Sequence, residues 1–135
     1  MRFLPDTNAF IAIMRLRPKM LRRMQQQSPS DFGMSSIVPF ELLYGAFKIQ
    51  RVEANVTRID IFPFEVLELD TEDAAEAGKI RAQLAQQGSP IGPYDVMIGG
   101  QARARWLTLI THNTNSKACR GFASKTGWRN RQRTQ

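Results

Sequence analysis

Asp6, Glu41 and Asp95 are the side chains whose setting could do chemistry. Pro39-Phe40-Glu41 and Pro93-Tyr94-Asp95 each place a carboxylate two residues after a proline at an expected helix start. There the helix dipole and free backbone N–H groups favour the ionised form. Asp6 follows the short apolar run Met1–Leu4 and so falls at an expected strand end, which in a parallel α/β sheet shares a rim with helix N-termini. Three carboxylates converging there would suit Mg²⁺, with Mn²⁺ able to substitute, because hard ions take oxygen ligands and keep waters that a phosphate can replace. Hydrolysis of a phosphodiester bond is the chemistry such a site supports. Taken singly, Asp6 also reads as a helix cap and Glu41 as a surface charge near a helix start.

No rival site emerges. His112 is the only histidine and Cys119 the only cysteine, which excludes a multi-histidine metal set, a Cys-based zinc site and an internal disulfide within one chain. His112 reads as a polar residue at a strand end. There is no Gly-rich phosphate loop. A phosphatase using Asp6 as a covalent nucleophile would want a second acid two residues later, where this chain has Asn8.

The elements that must position these acids follow from local pattern. Asp6, Thr7 and Asn8 are helix N-cap types, and Ala9–Arg17 reads as a helix interrupted by Pro18. Phe32–Val38 reads as a strand, with Pro39 at the first position of the next helix. A helix over Arg51–Ile61 follows, then a strand over Val66–Leu69. Asp70 is expected to cap a helix with Ala74, Ala77, Ile80 and Leu84 on one face and Glu72, Asp73 and Glu76 as a solvated acidic face. Gly88, Pro90, Gly92 and Pro93 form a turn before a helix over Tyr94–Arg105 and a strand over Leu107–Thr111. Strands alternating with helices predict an α/β sandwich around a mostly parallel sheet.

At 135 residues, 42% hydrophobic and 23% charged, the composition is that of a globular protein with room for one domain. The longest apolar candidate for a membrane span, Ala9–Met14, is far short of the roughly 20 residues a spanning helix needs, so a cytoplasmic location with no membrane partner is expected. The net charge of +7 is uneven: all 12 acids lie at or before Asp95, while Arg103, Arg105, Lys117, Arg120, Lys125, Arg129, Arg131 and Arg133 follow it. Charge alone allows either a nucleic-acid surface or a solubilising or partner-held tail.

Three segments resemble a known family. Phe3-Leu4-Pro5-Asp6-Thr7-Asn8, Ser35-Ser36-Ile37-Val38 through Glu41-Leu42-Leu43-Tyr44-Gly45-Ala46, and Gly88-Ser89-Pro90-Ile91-Gly92-Pro93-Tyr94-Asp95 are similar to the motifs of VapC-type PIN-domain toxins. Ala102-Arg103 and Leu107-Thr108-Leu109-Ile110-Thr111 continue the pattern, so the resemblance covers about residues 1–114. It implies a PIN-like α/β/α sandwich over 1–114, with 115–135 a divergent basic segment of the same domain, partly disordered. It also implies a Mg²⁺-dependent endoribonuclease held inactive by a VapB-like antitoxin, acting on RNA such as initiator tRNA in its anticodon stem-loop, and a homodimer. By motif, Asp6, Glu41 and Asp95 would be metal ligands and catalytic, with Asn113 a catalytic-site residue where many PIN domains carry a further acid.

Two departures set up a competing expectation, a catalytically impaired PIN domain that still binds its antitoxin. Pro5 stands where the family has an apolar residue able to continue the first strand. After Thr114 the chain reads Asn115-Ser116-Lys117-Ala118-Cys119-Arg120, without the acid the family carries near position 116. The loss of acids and of periodicity there is what translation outside the ancestral frame would produce, and the gene's other two frames test that.

Overall fold

The computed structural model describes residues 1–50, 59–60 and 62–111. The elements in chain order are β1 (Phe3–Pro5), α1 (Thr7–Met14), α2 (Pro18–Gln25), a 3₁₀ turn (Pro29–Asp31), β2 (Gly33–Ser35) and α3 (Ile37–Lys48). Then come β3 (Glu65–Leu67), α4 (Thr71–Gln86), α5 (Pro93–Ala104) and β4 (Thr108–Ile110). Of the expected helix over 51–61 only residues 59–60 are described, and they are helical; His112, Asn113 and the basic C-terminal segment lie outside the described residues.

Every described strand pairing is parallel. β1 pairs with β4 in the register Leu4–Leu109, β2 pairs with β3 in the register Met34–Val66, and a single bridge, Phe3–Phe32, joins the two pairs. The strands therefore run in the order β4-β1-β2-β3.

Pro5 explains the thin seam at the centre of that sheet. On β1, Arg2 accepts from Thr108 N–H and Asp6 donates to Ile110 O, so the even-numbered residues face β4 and the odd-numbered ones face β2. The rung after Phe3–Phe32 would be Pro5–Met34, and proline has no N–H to give it. Pro5 is the last residue of β1, fully buried and in register with Ile110. A run of rings crosses the same region: Phe3 on Phe32, Phe32 on Phe64, and Phe62 and Phe64 on Phe10, with centroids 5.1 to 6.0 Å apart. Side-chain packing supplies there what the backbone ladder lacks.

The second strand is shorter than Phe32–Val38, and α3 starts earlier than its proline. Ser35 Oγ accepts from Ile37 N–H at 3.3 Å, a local turn that starts the helix while Val38 is buried. Pro39 becomes the third helical residue, where its missing N–H would have had no partner within the helix.

α4 and α5 form the most intimate helix pair. A Cβ on Gly100 would fall 2.5 Å from the backbone nitrogen of Ala77, so only glycine permits this approach. Ala77, Ile80 and Leu84 of α4 join Val96, Ile98 and Ala102 of α5 in the core with Leu4, Phe10, Met34 and Val38. Asp70 caps α4 as expected, reciprocally with Asp73. Ala74 is exposed, and of the acidic face only Glu72 is fully solvated. Asp73 is 1% exposed and accepts from both Arg105 Nε and Nη2, at 3.3 and 3.0 Å. Glu76 pairs with Arg103 and Lys79. Two of the basic residues that follow Asp95 are thus structural partners of α4.

Candidate active site at the carboxyl rim of the sheet

The chain leaves β1 at Asp6, which is both the strand's successor and the N-cap of α1. Its Oδ1 accepts from Ala9 N–H at 2.8 Å, and it is buried. The strand therefore delivers the carboxylate and the cap fixes its rotamer, in spite of Pro5.

Thr7, also buried, donates from Oγ1 to Glu41 Oε1 at 2.6 Å. That bond ties the start of α1 to α3, two segments 34 positions apart. Because α3 begins at Ile37, Glu41 is its fifth residue and lies beyond the free N–H groups of the first turn. The dipole reasoning applied to Glu41 therefore does not hold. Asp95 does sit in a first turn, at the third position of α5 after Pro93 and the N-cap Gly92.

The electrostatics place the acids together. Burial pushes the Glu41 carboxyl above its ordinary range, the Thr7 hydrogen bond pulls it back, and the negative charges of Asp95 and Asp6 raise it further. Burial also raises Asp95. Desolvation thus outweighs the helix terminus at Asp95, and both acids move opposite to the direction expected from the dipole. Among the described residues no Lys or Arg forms an ion pair with Glu41 or Asp95.

Half-buried carboxyls that, among the described residues, face other carboxyls and no cationic side chain leave negative potential to be neutralised. An all-oxygen donor set is what a hard divalent ion takes. As the side chains stand, no group of three or more His, Cys, Asp or Glu among the described residues is gathered closely enough to hold a metal ion. Asp6, Glu41 and Asp95 fit such an ion by the chemistry of their oxygens, and Glu41 lies within electrostatic reach of the other two. Asn113 lies outside the described residues.

Thr7 was legible in the sequence only as a cap type; its reach to Glu41 is long-range and had no local signal. A second unanticipated pair borders the site: Phe40 and Tyr94, each preceding a site acid, have ring centroids 5.2 Å apart and are both exposed.

Comparisons with known proteins fit this geometry. The family model for the PIN domain matches residues 3–120. A protein named tRNA(fMet)-specific endonuclease VapC from Shigella flexneri is 40% identical over 116 residues, covering 84% of this chain and 88% of that protein. The structure of DNA-bound VapBC from Salmonella typhimurium superposes with a TM-score of 0.78 at 38% identity, over 89% of this chain and 91% of that one. VapBC2 from Rickettsia felis, bound to a DNA fragment from its promoter, superposes with a TM-score of 0.76 at 29% identity, over 87% and 91%.

Proposed function

The chain belongs to the PIN-domain family and, within it, to the VapC group, and from that premise we propose that it is the toxin of a VapBC-type pair, a Mg²⁺-dependent endoribonuclease. The proposal extends to tRNA as substrate, in line with the printed name of the Shigella flexneri relative. It includes a VapB-like antitoxin as partner, in line with the VapBC complexes among the structural neighbours, and a homodimer acting in the cytoplasm. No helix among the described residues is long and apolar enough to cross a membrane.

The observation that carries this reading is that Asp6, Glu41 and Asp95, from three distant segments, lie near enough for the charges of Asp6 and Asp95 to be felt at Glu41. A bound Mg²⁺ would supply Lewis-acid charge for the scissile phosphate and lower the pKa of water at neutral pH. The protein's part is to orient. Asp6 is held by its cap to Ala9 N–H, Glu41 by Thr7, and Asp95 by the first turn of α5. None of the three needs to act as the general base, since their role is to hold the ion and to remain ionised once it is present.

The test is incubation of antitoxin-free protein with a tRNA pool and Mg²⁺, beside EDTA and Asp95→Asn controls, with cut ends mapped. Cleavage lost in both controls supports the proposal. No cleavage by folded protein supports instead an impaired PIN domain that retains only antitoxin binding.

A further inference from the structure

Between Asp6 and Asp31 there is no acid, while Arg15, Arg17, Lys19, Arg22 and Arg23 fall within nine positions. All five are exposed, and none pairs with an acid among the described residues. Four of them, Arg15, Arg17, Lys19 and Arg22, line a single groove of about 530 Å³ between α1 and α2. Asn8 lines the same groove, two residues from Asp6. The groove therefore follows α1 along its length, roughly 12 Å for eight residues at the usual rise, from the acidic rim to the turn before α2.

The turn that gathers these cations is specifically built. Arg17 N–H donates to Ala12 O and Leu16 N–H to Ile13 O, both at 3.0 Å, which is the Schellman closure of a helix. Its left-handed position, usually glycine, is held by Leu16 at φ 55, at a cost of about 1–2 kcal/mol for a side chain there. This closure sets Arg15 and Arg17 on either side of the helix end and starts α2 at Pro18 with Lys19 and Arg22 on the groove side.

We infer that this α1–α2 groove binds the sugar–phosphate backbone of the RNA whose scissile bond lies at the acidic rim. The inference rests on the proposed ribonuclease role for the identity of the polyanion. The chemistry is electrostatic and independent of base sequence: each cation that meets a phosphate releases a condensed counterion, so binding is salt-dependent. A negative site alone repels RNA; the groove starts beside Asp6 at Asn8, and the cations gathered at its far end, from Arg15 onward, offset that repulsion and orient the strand. Arg15, Arg17, Lys19 and Arg22 are positioning residues.

The test is binding of an end-labelled tRNA pool by the Asp95→Asn protein, with and without R15Q/R17Q/R22Q, over a salt series. The triple variant is expected to bind at least about tenfold more weakly at low salt, with the slope of log K against log salt reduced by about two. R15K/R17K/R22K, which keeps the charges, should restore most of the binding. K79Q/R81Q, exposed on α4, should leave the slope nearly unchanged. If the triple Gln variant fails to fold, R22Q alone should lower the slope by about 0.7 to 0.9. Unchanged affinity and slope overturn the inference, including the case in which the groove holds an acidic protein segment instead. Wild-type cleavage assayed in parallel separates the readings. Cleavage with an unchanged slope sinks the groove alone, whereas a reduced slope without cleavage sinks the ribonuclease role and leaves the groove.

Discussion

Asp73 and Asp95 sit on adjacent helices of one small domain and are treated in opposite ways. Asp73 is 1% exposed, yet Arg105 meets it with two nitrogens and the N-cap amide of Asp70 donates to it. Asp95 is half-buried and has no cationic partner among the described residues, and with Asp6 it raises the carboxyl of Glu41. The first acid is compensated by the chain itself and holds two helices together. Glu41 and Asp95 meet no cationic side chain among the described residues. The more deeply buried acid is the one with a counter-charge, and the lack of one among the described residues marks Asp95 as a candidate functional carboxylate.

The sharpest way to break that comparison is to remove one charge from each region. Asp95→Asn should lower tRNA cleavage by a factor of about 10² or more while leaving the fold intact, as checked by initial rates and circular dichroism. Arg105→Ala should do the reverse. It leaves Asp73 buried and unpaired and should cost on the order of 3 kcal/mol of stability, read from the denaturant midpoint. A ribonuclease rate that falls with Arg105→Ala at a temperature where the protein is fully folded would contradict the division of roles.

A smaller effect sharpens the same contrast through pH. The folded pKa values of Glu41 and Asp95 lie above their ordinary values, chiefly through burial. Each group's favourable contribution is therefore complete below the unfolded pKa near 4. It is lost as pH rises through the folded pKa, because the unfolded chain gives up its proton first. In EDTA, Asp95→Asn should raise Tm modestly at pH 7 and not at all near pH 3. A lower Tm at pH 7 would mean the carboxylate is stabilised by a partner after all.

The smallest effect concerns Pro5. Pro5→Val restores the N–H for the rung to Met34 and should stabilise by about 1 kcal/mol, the net value of one hydrogen bond, with cleavage unchanged. A large gain in activity would show that the proline impairs the site.

What was legible follows the range of the interactions. The Asp70–Asp73 capping box is local, three residues apart, and could be read directly. The Asp73–Arg105 pair spans 32 positions, so an acid cluster in a first helical turn looked like a solvated face. Ile37 and Val38 are β-branched and extended the expected strand, whereas burial of Val38 and the Ser35 turn put them in α3. That shift moved Glu41 out of the first turn. The three acids themselves came from motif resemblance and strand-end logic together, and the charges of Asp6 and Asp95 act on Glu41. Thr7 had no signal, because its partner is 34 positions away. The basic groove leaves no mark on the net charge, because acids elsewhere in the first 95 residues balance the cations of α1 and α2.

The central claim is that Asp6, Glu41 and Asp95 form a site whose missing charge is a divalent cation. Mn²⁺ binding to the antitoxin-free protein, followed by electron paramagnetic resonance against Asp95→Asn and Asp73→Asn, tests it without relying on catalysis. The account predicts binding that strengthens as pH rises from 5 to 7, is lost in Asp95→Asn and persists in Asp73→Asn wherever that variant is folded. Equal binding by wild type and Asp95→Asn would contradict it.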